Sequence, residues 1–329
     1  MPESTSPPSR RRRWFVAAYF AFLVMVVVAV LRLVRVEADV WDYYYPELRA
    51  SRVTSTPLSR DDGILDVLTL GGSVLLQIES ALEDRLENDL GNRIRYYHLS
   101  TTAHTSRDSL LKYQRLSRQK FDVVIFCHGI NDVRMNYCPK ADFKNDYTHC
   151  QWYAALQRDS RVGRLSLWDR VRQFATQEGL GPPSASDYPF GRDLKTPPAF
   201  ESNLRQFATE AADRGDQVVF LTMASYLPKG YTRQAFLESG LDYGTGDVSY
   251  EAELWGDPNQ VAAGIAEHNR RTRLVARQHD NVRLVDLDEQ IEASGRNFSD
   301  ICHLTQLGQQ RVIDKVTPVV VRIVDKRRR

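Results

Sequence analysis

The chain contains few cysteines, and their spacing excludes the common metal and redox motifs. Its 329 residues include four of them, Cys127, Cys138, Cys150 and Cys302. Without a C-x-x-C pair the sequence supports neither a zinc ribbon nor a thioredoxin-like motif. Cys138 and Cys150 flank a short polar segment. In an exported protein we expect a disulfide between them to close this segment as a loop, the alternative being two free thiols.

The chain also lacks an excess of charge of one sign. Its 44 lysine and arginine residues nearly balance 42 aspartate and glutamate residues, which leaves a formal net charge of +2. The most basic stretches are residues 10–13 and 326–329. Because no basic face or aromatic-basic motif accompanies them, we expect no nucleic-acid partner.

A run without charge follows the first basic stretch. Residues 14–31 contain no charged residue, and a stretch of about 18 residues can cross a bilayer core as a helix. This predicts an uncleaved single-pass anchor over 14–34 after a cytoplasmic basic tail at 1–13, with the rest of the chain extracytoplasmic, in the periplasm if the source is bacterial. A cleaved signal peptide is the alternative, but the run exceeds the usual apolar region of about 7–15 residues and no small-x-small cleavage site follows it.

The remaining chain divides into a short stem and one large domain. Residues 35–62 show no clear period and are predicted to form the stem, whereas strand-like and helix-like segments alternate over 63–325. Continuously apolar strands separated by helices predict a parallel sheet covered on both faces. Segments 133–197 and 226–256 interrupt this alternation. Because both follow the carboxyl ends of strands, where open α/β sheets bind ligands, they are interpreted as lids or substrate walls, or equally as packing insertions.

Residues suited to nucleophilic catalysis stand at opposite ends of this domain. Ser73 follows Gly71 and Gly72, where the first strand passes into a helix. Asp300 and His303 lie three residues apart before the last helix, so a turn can bring the carboxylate against the imidazole. A serine hydroxyl needs a neighbouring base, and the base needs an acceptor that fixes its tautomer. Each motif alone is as well explained by a helix cap or a surface histidine.

An amide that can stabilise negative charge follows the third strand. Asn131 lies in the segment Gly129-Ile130-Asn131-Asp132. In a parallel sheet this segment occupies the same edge as Ser73, and the amide can donate to the oxygen of a tetrahedral intermediate. By itself the segment is also typical of an ordinary turn.

Taken together, these segments resemble the SGNH/GDSL hydrolase superfamily over roughly residues 63–323. The matching blocks are Leu70-Gly71-Gly72-Ser73, Gly129-Ile130-Asn131-Asp132 and Asp300-Ile301-Cys302-His303. The resemblance implies a flavodoxin-like three-layer α/β/α sandwich, preceded here by the anchor, and an Asp300–His303–Ser73 triad. It also implies an oxyanion hole from Ser73, Ala103 and Asn131, supporting roles for Gly72 and Gly129, and no metal or other cofactor.

Two positions depart from the family pattern. Gly72 replaces the aspartate that usually precedes the nucleophile, and Ala103 stands where the family has a glycine. The glycine acts through its backbone N–H, which alanine also has, so an oxyanion hole can survive where the local backbone angles tolerate a Cβ.

The resemblance implies an enzyme that hydrolyses esters. With the domain outside the membrane, the expected partners are a small-molecule or glycan ester, such as an O-acyl ester of an extracytoplasmic glycan or lipid. An O-acyltransferase that uses the same triad is an alternative, because the acyl-enzyme can meet a sugar hydroxyl instead of water. A non-catalytic glycan-binding or assembly protein that kept the fold is another, although binding alone does not require the complete set of catalytic residues.

Overall fold

A five-stranded parallel sheet forms the centre of the domain. The computed structural model describes residues 10–33, 39–55, 58, 62–91, 94–163, 165 and 181–328. The strands are β1 (Leu65–Gly71), β2 (Ile94–His98), β3 (Val123–Cys127), β4 (Gln217–Leu221) and β5 (Val282–Val285), in the spatial order β2-β1-β3-β4-β5. All four neighbouring pairs are parallel, which confirms the predicted α/β class and its parallel sheet.

The described helices fall mainly between these strands. They are α1 (Arg10–Leu33), α2 (Val40–Tyr44), α3 (Pro46–Ala50), α4 (Ser73–Leu76), α5 (Glu79–Leu90), α6 (Ser106–Arg115), α7 (Ile130–Val133), α8 (Gln151–Val162), α9 (Tyr188–Gly191), α10 (Thr196–Arg214), α11 (Arg233–Leu237), α12 (Pro258–Ala276), α13 (Leu287–Gln290) and α14 (Gln306–Arg328). Short 3₁₀ turns occupy Arg134–Asn136 and Ala252–Leu254.

The sheet is covered on both faces. Val67 packs in one apolar cluster with residues of α5 and α14, and its neighbour Leu68 packs in a second cluster with residues of α6 and α10. Successive side chains of a strand point to opposite faces, so two clusters are expected of a sheet buried on both sides. The continuous apolar runs in the sequence have this origin.

The order of the strands determines where the functional residues meet. Strand β1 lies between β2 and β3, and Gly71 at the end of β1 pairs with Cys127 at the end of β3. The chain connections reverse direction between these two strands, and parallel α/β sheets bind ligands in the crevice at such a switch point. Ser73 and Asn131 both follow the strands that border it.

Part of the predicted stem belongs to the folded domain. Helices α2 and α3 bury Tyr44, Tyr45 and Leu48 in the apolar cluster that covers one face of the sheet. The Tyr45 hydroxyl also donates a hydrogen bond of 3.0 Å to the carboxylate of Asp108 on α6. The prediction of a stem over 35–62 was therefore wrong for residues 40–53. Each helix has only five residues, too few to produce a recognisable helical period in the sequence.

The N-terminal segment forms helix α1. Its described apolar side chains are exposed, among them Trp14, Phe15 and Met25. No helix in the part of the chain that the structure describes is long and apolar enough to cross a membrane. The anchor over 14–34 stays a prediction from the sequence. Residues 1–9 and 34–38, which belong to the predicted tail, anchor and stem, lie outside the described residues.

The predicted disulfide is absent from the structure. Cys138 and Cys150 are both free thiols, and the Cys138 Sγ lies 3.8 Å from the carbonyl oxygen of Met135. The segment between them is not without a core, because Tyr147 is fully buried in a small cluster against which Cys150 packs. The Tyr147 hydroxyl donates a hydrogen bond of 3.0 Å to Asp132. Packing and this hydrogen bond fix the loop that a disulfide was expected to close. Residues 164 and 166–180 of the insertion lie outside the described part.

Candidate active site

Three residues from two distant parts of the chain form a hydrogen-bonded relay. The Ser73 Oγ lies 2.8 Å from His303 Nε2, and His303 Nδ1 lies 2.6 Å from Asp300 Oδ2. Since the Nδ1–H donates to the carboxylate, Nε2 carries the lone pair that accepts the serine proton. Ser73 is half-buried, whereas His303 and Asp300 are almost fully buried. The geometry is that of a serine activated by an oriented histidine.

A tight turn holds the aspartate against the histidine. The Asp300 Oδ1 accepts the backbone N–H groups of Cys302 and His303 at 2.8 and 2.7 Å. The Ser299 N–H donates a hydrogen bond of 2.9 Å to the carbonyl oxygen of His303, and this bond closes the turn. The spacing of three residues thus allows one carboxylate to bind both the backbone and the imidazole of the same histidine.

The turn before Ser73 requires a glycine. A Cβ on Gly71 would lie 2.7 Å from the Cβ of Leu75 and 3.0 Å from the carbonyl oxygen of Cys127. Real side chains do not approach so closely, so only glycine lets β1 pass directly into α4 beside β3. This local geometry places the serine hydroxyl at the carboxyl edge of the sheet.

The amide of Asn131 has a defined orientation. Its Oδ1 accepts a hydrogen bond of 2.9 Å from the indole N–H of Trp255, and its Nδ2 donates one of 2.9 Å to the carbonyl of His104. An indole nitrogen only donates, which identifies the atom facing Trp255 as the oxygen. No described residue accepts the second N–H of Asn131, so this donor is available to an oxyanion in the cleft.

Gly72 makes room for this amide. A Cβ on Gly72 would lie 2.9 Å from the Asn131 Nδ2. The aspartate that the family usually has before the serine would therefore collide with the amide in its present position. The first departure from the family pattern is thus coupled to the placement of the Asn131 amide.

Ala103 occupies a backbone conformation that favours glycine. Its φ is +63°, in the left-handed region, within a turn in which the His104 N–H donates to the carbonyl of Thr101. A Cβ in this region costs roughly 1–2 kcal/mol. Ala103 lines the same cleft as Ser73 and Asn131. The structure therefore brings the three predicted oxyanion residues to one cleft, with alanine keeping the conformation that glycine would adopt more easily.

The glycine and the aspartate that flank Asn131 fix its loop from inside the domain. The carbonyl of Gly129 accepts a hydrogen bond of 2.9 Å from His268, which is fully buried. Asp132 is also fully buried, and it accepts hydrogen bonds from the backbone and hydroxyl of Ser106 and from Tyr147. Burial raises the pKa of Asp132 to about 7 despite these donors. Asp132 therefore joins the loop after β3 to the loop that contains Ala103.

The second insertion contributes contacts that the sequence did not indicate. The backbone N–H of Tyr250 donates a hydrogen bond of 2.8 Å to Asp300 Oδ2, and the indole N–H of Trp255 donates one of 2.9 Å to Asn131 Oδ1. The rings of Tyr250 and Trp255 lie 5.7 and 5.9 Å from the imidazole of His303. A backbone donor has no sequence signature, and the two aromatic residues lie in a segment without a period. Only their place in the fold reveals the role.

The side chains of Asp300, Cys302 and His303 also meet the geometric requirement for a metal site, since their ligand atoms lie within 4.8 Å of one another. Their chemistry fits a metal less well. His303 Nδ1 already binds Asp300, and burial raises the pKa of the Cys302 thiol well above its usual value. A thiol ligates metals as a thiolate, so this arrangement favours the relay.

These groups open into one cleft of about 560 Å³. Ser73, His303 and Asn131 line it together with Ala103, Tyr250 and Trp255. Its walls come from the loops that follow β1, β2 and β3 and from the segment 226–256. An ester carbonyl placed against Ser73 would therefore meet the nucleophile, the base and the amide donor at the same time.

Comparison with known proteins places this site in a family. The model of the GDSL-like lipase/acylhydrolase family matches residues 72–311. Similar solved structures include an α/β hydrolase enzyme from the metagenome of Lake Arreo in Spain, with 16% identity, a TM-score of 0.46 and coverage of 78% of this chain and 94% of that chain. A GDSL-like lipase from Bacteroides thetaiotaomicron has 12% identity, a TM-score of 0.46 and coverage of 85% and 98%. A variant of an acetyl-xylooligosaccharide esterase from Geobacillus has 13% identity, a TM-score of 0.42 and coverage of 78% and 94%.

No curated protein matches the sequence. The family model, in contrast, extends from the residue before Ser73 to the first turns of α14 and includes Ser73, Asp300 and His303. The chain belongs to the GDSL-like lipase/acylhydrolase family.

Proposed function

We propose that this chain is a serine esterase in which Ser73, His303 and Asp300 cleave O-acyl esters. The observation that carries the proposal is the relay, with contacts of 2.8 Å from Ser73 to His303 and 2.6 Å from His303 to Asp300. A serine hydroxyl with an oriented base is the arrangement that acyl transfer requires. The family to which the chain belongs hydrolyses esters of this general kind, whereas the triad and the substrate are our assignments.

The reaction proceeds in two halves. The Ser73 Oγ attacks the carbonyl carbon while His303 Nε2 takes its proton, and the oxyanion receives hydrogen bonds from Asn131 and from the N–H groups of Ser73 and Ala103. Collapse of this intermediate breaks the bond to the alcohol, which leaves with the proton from His303. Water then attacks the acyl-serine with His303 again as the base, and releases the acid and free Ser73.

We further propose that the substrate is an O-acyl ester of an extracytoplasmic glycan or lipid. The cleft supports this proposal because the aromatic rings of Tyr250 and Trp255 form one of its walls, and Tyr250 is about half exposed. Aromatic faces bury the apolar faces of sugars and acyl chains while leaving polar groups hydrated.

The uncharged run 14–31 and the arginines before it support a single-pass anchor that holds the domain outside the membrane. A reporter fused after Arg329 tests this topology, and a cytoplasmic reading contradicts it.

The triad is tested by a fluorophosphonate label and by ester hydrolysis. Ser73→Ala, His303→Ala and the double variant should each lose similar activity, on the order of a millionfold in kcat if they behave as other serine triads do. The label should attach at Ser73. Multiplicative losses in the double variant would contradict a common unit. Adding a sugar acceptor distinguishes an acyltransferase, which gives an acceptor-dependent product.

The chain provides a matched control for this experiment. Ser109 Oγ lies 2.7 Å from His128 Nε2, a contact as short as that of the catalytic pair. Both residues are buried, however, and neither lines the cleft. Ser109→Ala should keep both labelling and activity, which separates the effect of removing a serine–histidine contact from that of removing the nucleophile.

A further inference from the structure

A buried arginine in the cleft forms no ion pair with any residue that the structure describes. Arg134 is 8% exposed, and its Nη2 donates a hydrogen bond of 2.9 Å to the carbonyl of Gly181. Its Nε is fully buried without a hydrogen-bond partner. Among the residues that the structure describes, no carboxylate lies within ion-pair distance of the guanidinium. Buried charges in proteins are normally paired, so an unpaired guanidinium calls for a ligand.

The position of Arg134 in the chain places it in the cleft that contains Ser73 and His303. It follows Asn131 by three residues, and its backbone continues the helical conformation of α7. Residues three apart in a helical turn share a face. Arg134 accordingly lines the same cleft as Ser73, Asn131 and His303.

The described neighbours of Arg134 do not neutralise its charge. Burial raises the pKa of the Cys150 thiol and of the Tyr153 hydroxyl, so both neighbours are uncharged at neutral pH. The carboxylate that lines the cleft, Asp247, is exposed to solvent and forms no ion pair with Arg134 within the described part of the chain. The same burial lowers the pKa of Arg134 itself. The guanidinium of Arg134 therefore brings a positive charge and N–H groups that donate to no described residue into the cleft that contains Ser73.

We propose that Arg134 binds an anionic group, a carboxylate or a phosphate, on the ester that Ser73 attacks. This inference rests on the proposed function and narrows it, because the preferred substrate is then an ester that carries a negative charge. A guanidinium offers several N–H donors in one plane and matches the oxygens of a carboxylate or phosphate. Charge pairing with a guanidinium that is 8% exposed is stronger than pairing on an open surface.

The experiment compares neutral esters with charged esters built on the same reacting group, with the full chain in detergent. One set consists of 4-acetoxybenzamide, 4-acetoxybenzoate and 4-acetoxyphenyl phosphate, which place a neutral group, a carboxylate or a phosphate on the alcohol. A second pair, 4-nitrophenyl methyl succinate and 4-nitrophenyl hemisuccinate, places the charge on the acyl group. The wild type should favour the charged member of at least one set by about 10- to 100-fold in kcat/KM, the range expected for one hydrogen-bonded ion pair. The member favoured tells whether a carboxylate or a phosphate is bound.

Variants assign that preference to Arg134. Arg134→Gln should abolish it, measured as the ratio of kcat/KM for the charged ester to kcat/KM for the neutral ester, and Arg134→Lys should keep part of it. Arg205→Gln is the matched control, because Arg205 pairs with Glu201 on α10 outside the cleft. A preference that survives in Arg134→Gln overturns the inference, and so does a wild type that cleaves charged and neutral esters equally.

A measurement on the wild type alone covers the case in which Arg134→Gln does not fold. Benzoate or phenyl phosphate should inhibit hydrolysis of the neutral ester competitively, with an inhibition constant at least about tenfold lower than that of benzamide. Equal inhibition by the three compounds overturns the inference. Failure of the proposed function gives a different result, because no ester in either set would then be cleaved faster by the wild type than by Ser73→Ala.

Discussion

Replacing Trp255 by phenylalanine removes the hydrogen bond that orients Asn131. The Trp255 indole N–H donates to the Asn131 Oδ1 at 2.9 Å, and both residues are buried. Phenylalanine keeps an aromatic ring beside His303 but has no donor. The amide oxygen is then left without the Trp255 partner, and the constraint that points Nδ2 toward the cleft is weakened.

The size of the effect on kcat depends on the hydrogen bond that Asn131 keeps after the substitution. Loss of one partner from a buried acceptor costs about 1–3 kcal/mol of unfolding free energy. Complete loss of an oxyanion donor costs on the order of 10²- to 10³-fold in kcat. Because Nδ2 still donates to the His104 carbonyl at 2.9 Å, the amide stays near its place. We therefore expect Trp255→Phe to lower kcat by about tenfold, and Asn131→Ala to lower it further.

The assay measures kcat on a small neutral ester and the free energy of unfolding in denaturant. Trp152→Phe is the control, since the Trp152 indole lies 3.4 Å from Asp108 and does not line the cleft. It should lose stability without losing kcat. An unchanged kcat in Trp255→Phe would refute the claim that the indole positions the oxyanion donor, even if stability falls as expected.

Three further substitutions test the loops around the nucleophile. Gly72→Ala places a Cβ 2.9 Å from the Asn131 Nδ2, so kcat should fall about tenfold or more in the same ester assay. Ala103→Gly relieves the φ of +63° and should keep activity while changing the unfolding free energy by no more than about +1 kcal/mol, because glycine also loosens the unfolded chain. Burial raises the pKa of Asp132 from 3.8 to about 7, so folding takes up a proton and stability declines as the pH rises between these values. Asp132→Asn should reduce that decline, seen as a flatter dependence of unfolding free energy on pH, and an unchanged slope would contradict a raised pKa.

The central sheet was predictable because its middle strands β3 and β4 consist almost wholly of apolar residues. Strand β3 occupies Val123–Cys127 and β4 occupies Gln217–Leu221, and every residue of these two strands except Gln217 is apolar. Burial on both faces imposes this pattern on the sequence. Residues 40–53 gave no comparable signal, because they bury aromatic side chains from two short helices. Burial of this kind depends on contacts with α6 and α8, which are distant in sequence.

The predicted catalytic residues meet in one place for a related reason. Ser73 and Asn131 follow strands of a parallel sheet, and the carboxyl ends of such strands lie at one edge. Asp300 and His303 were recognisable by their spacing. Tyr250 and Trp255 were not, because the first acts through its backbone and the second through a contact across 124 residues of sequence. The spacing of residues in the sequence identifies partners within one turn. Partners from distant segments are identified only from the fold.

A buried lysine connects helix α3 to the loop that holds Ala103. Lys112 Nζ lies 3.1 Å from the carboxylate of Glu47 on α3 and 3.1 Å from His104 Nδ1. The carbonyl of His104 in turn accepts the amide of Asn131. Lys112 is fully buried, so removing Glu47 would leave its charge without that partner beside the loop that holds Ala103. Because α3 supplies this carboxylate, residues 46–50 belong to the framework of the active site rather than to a spacer.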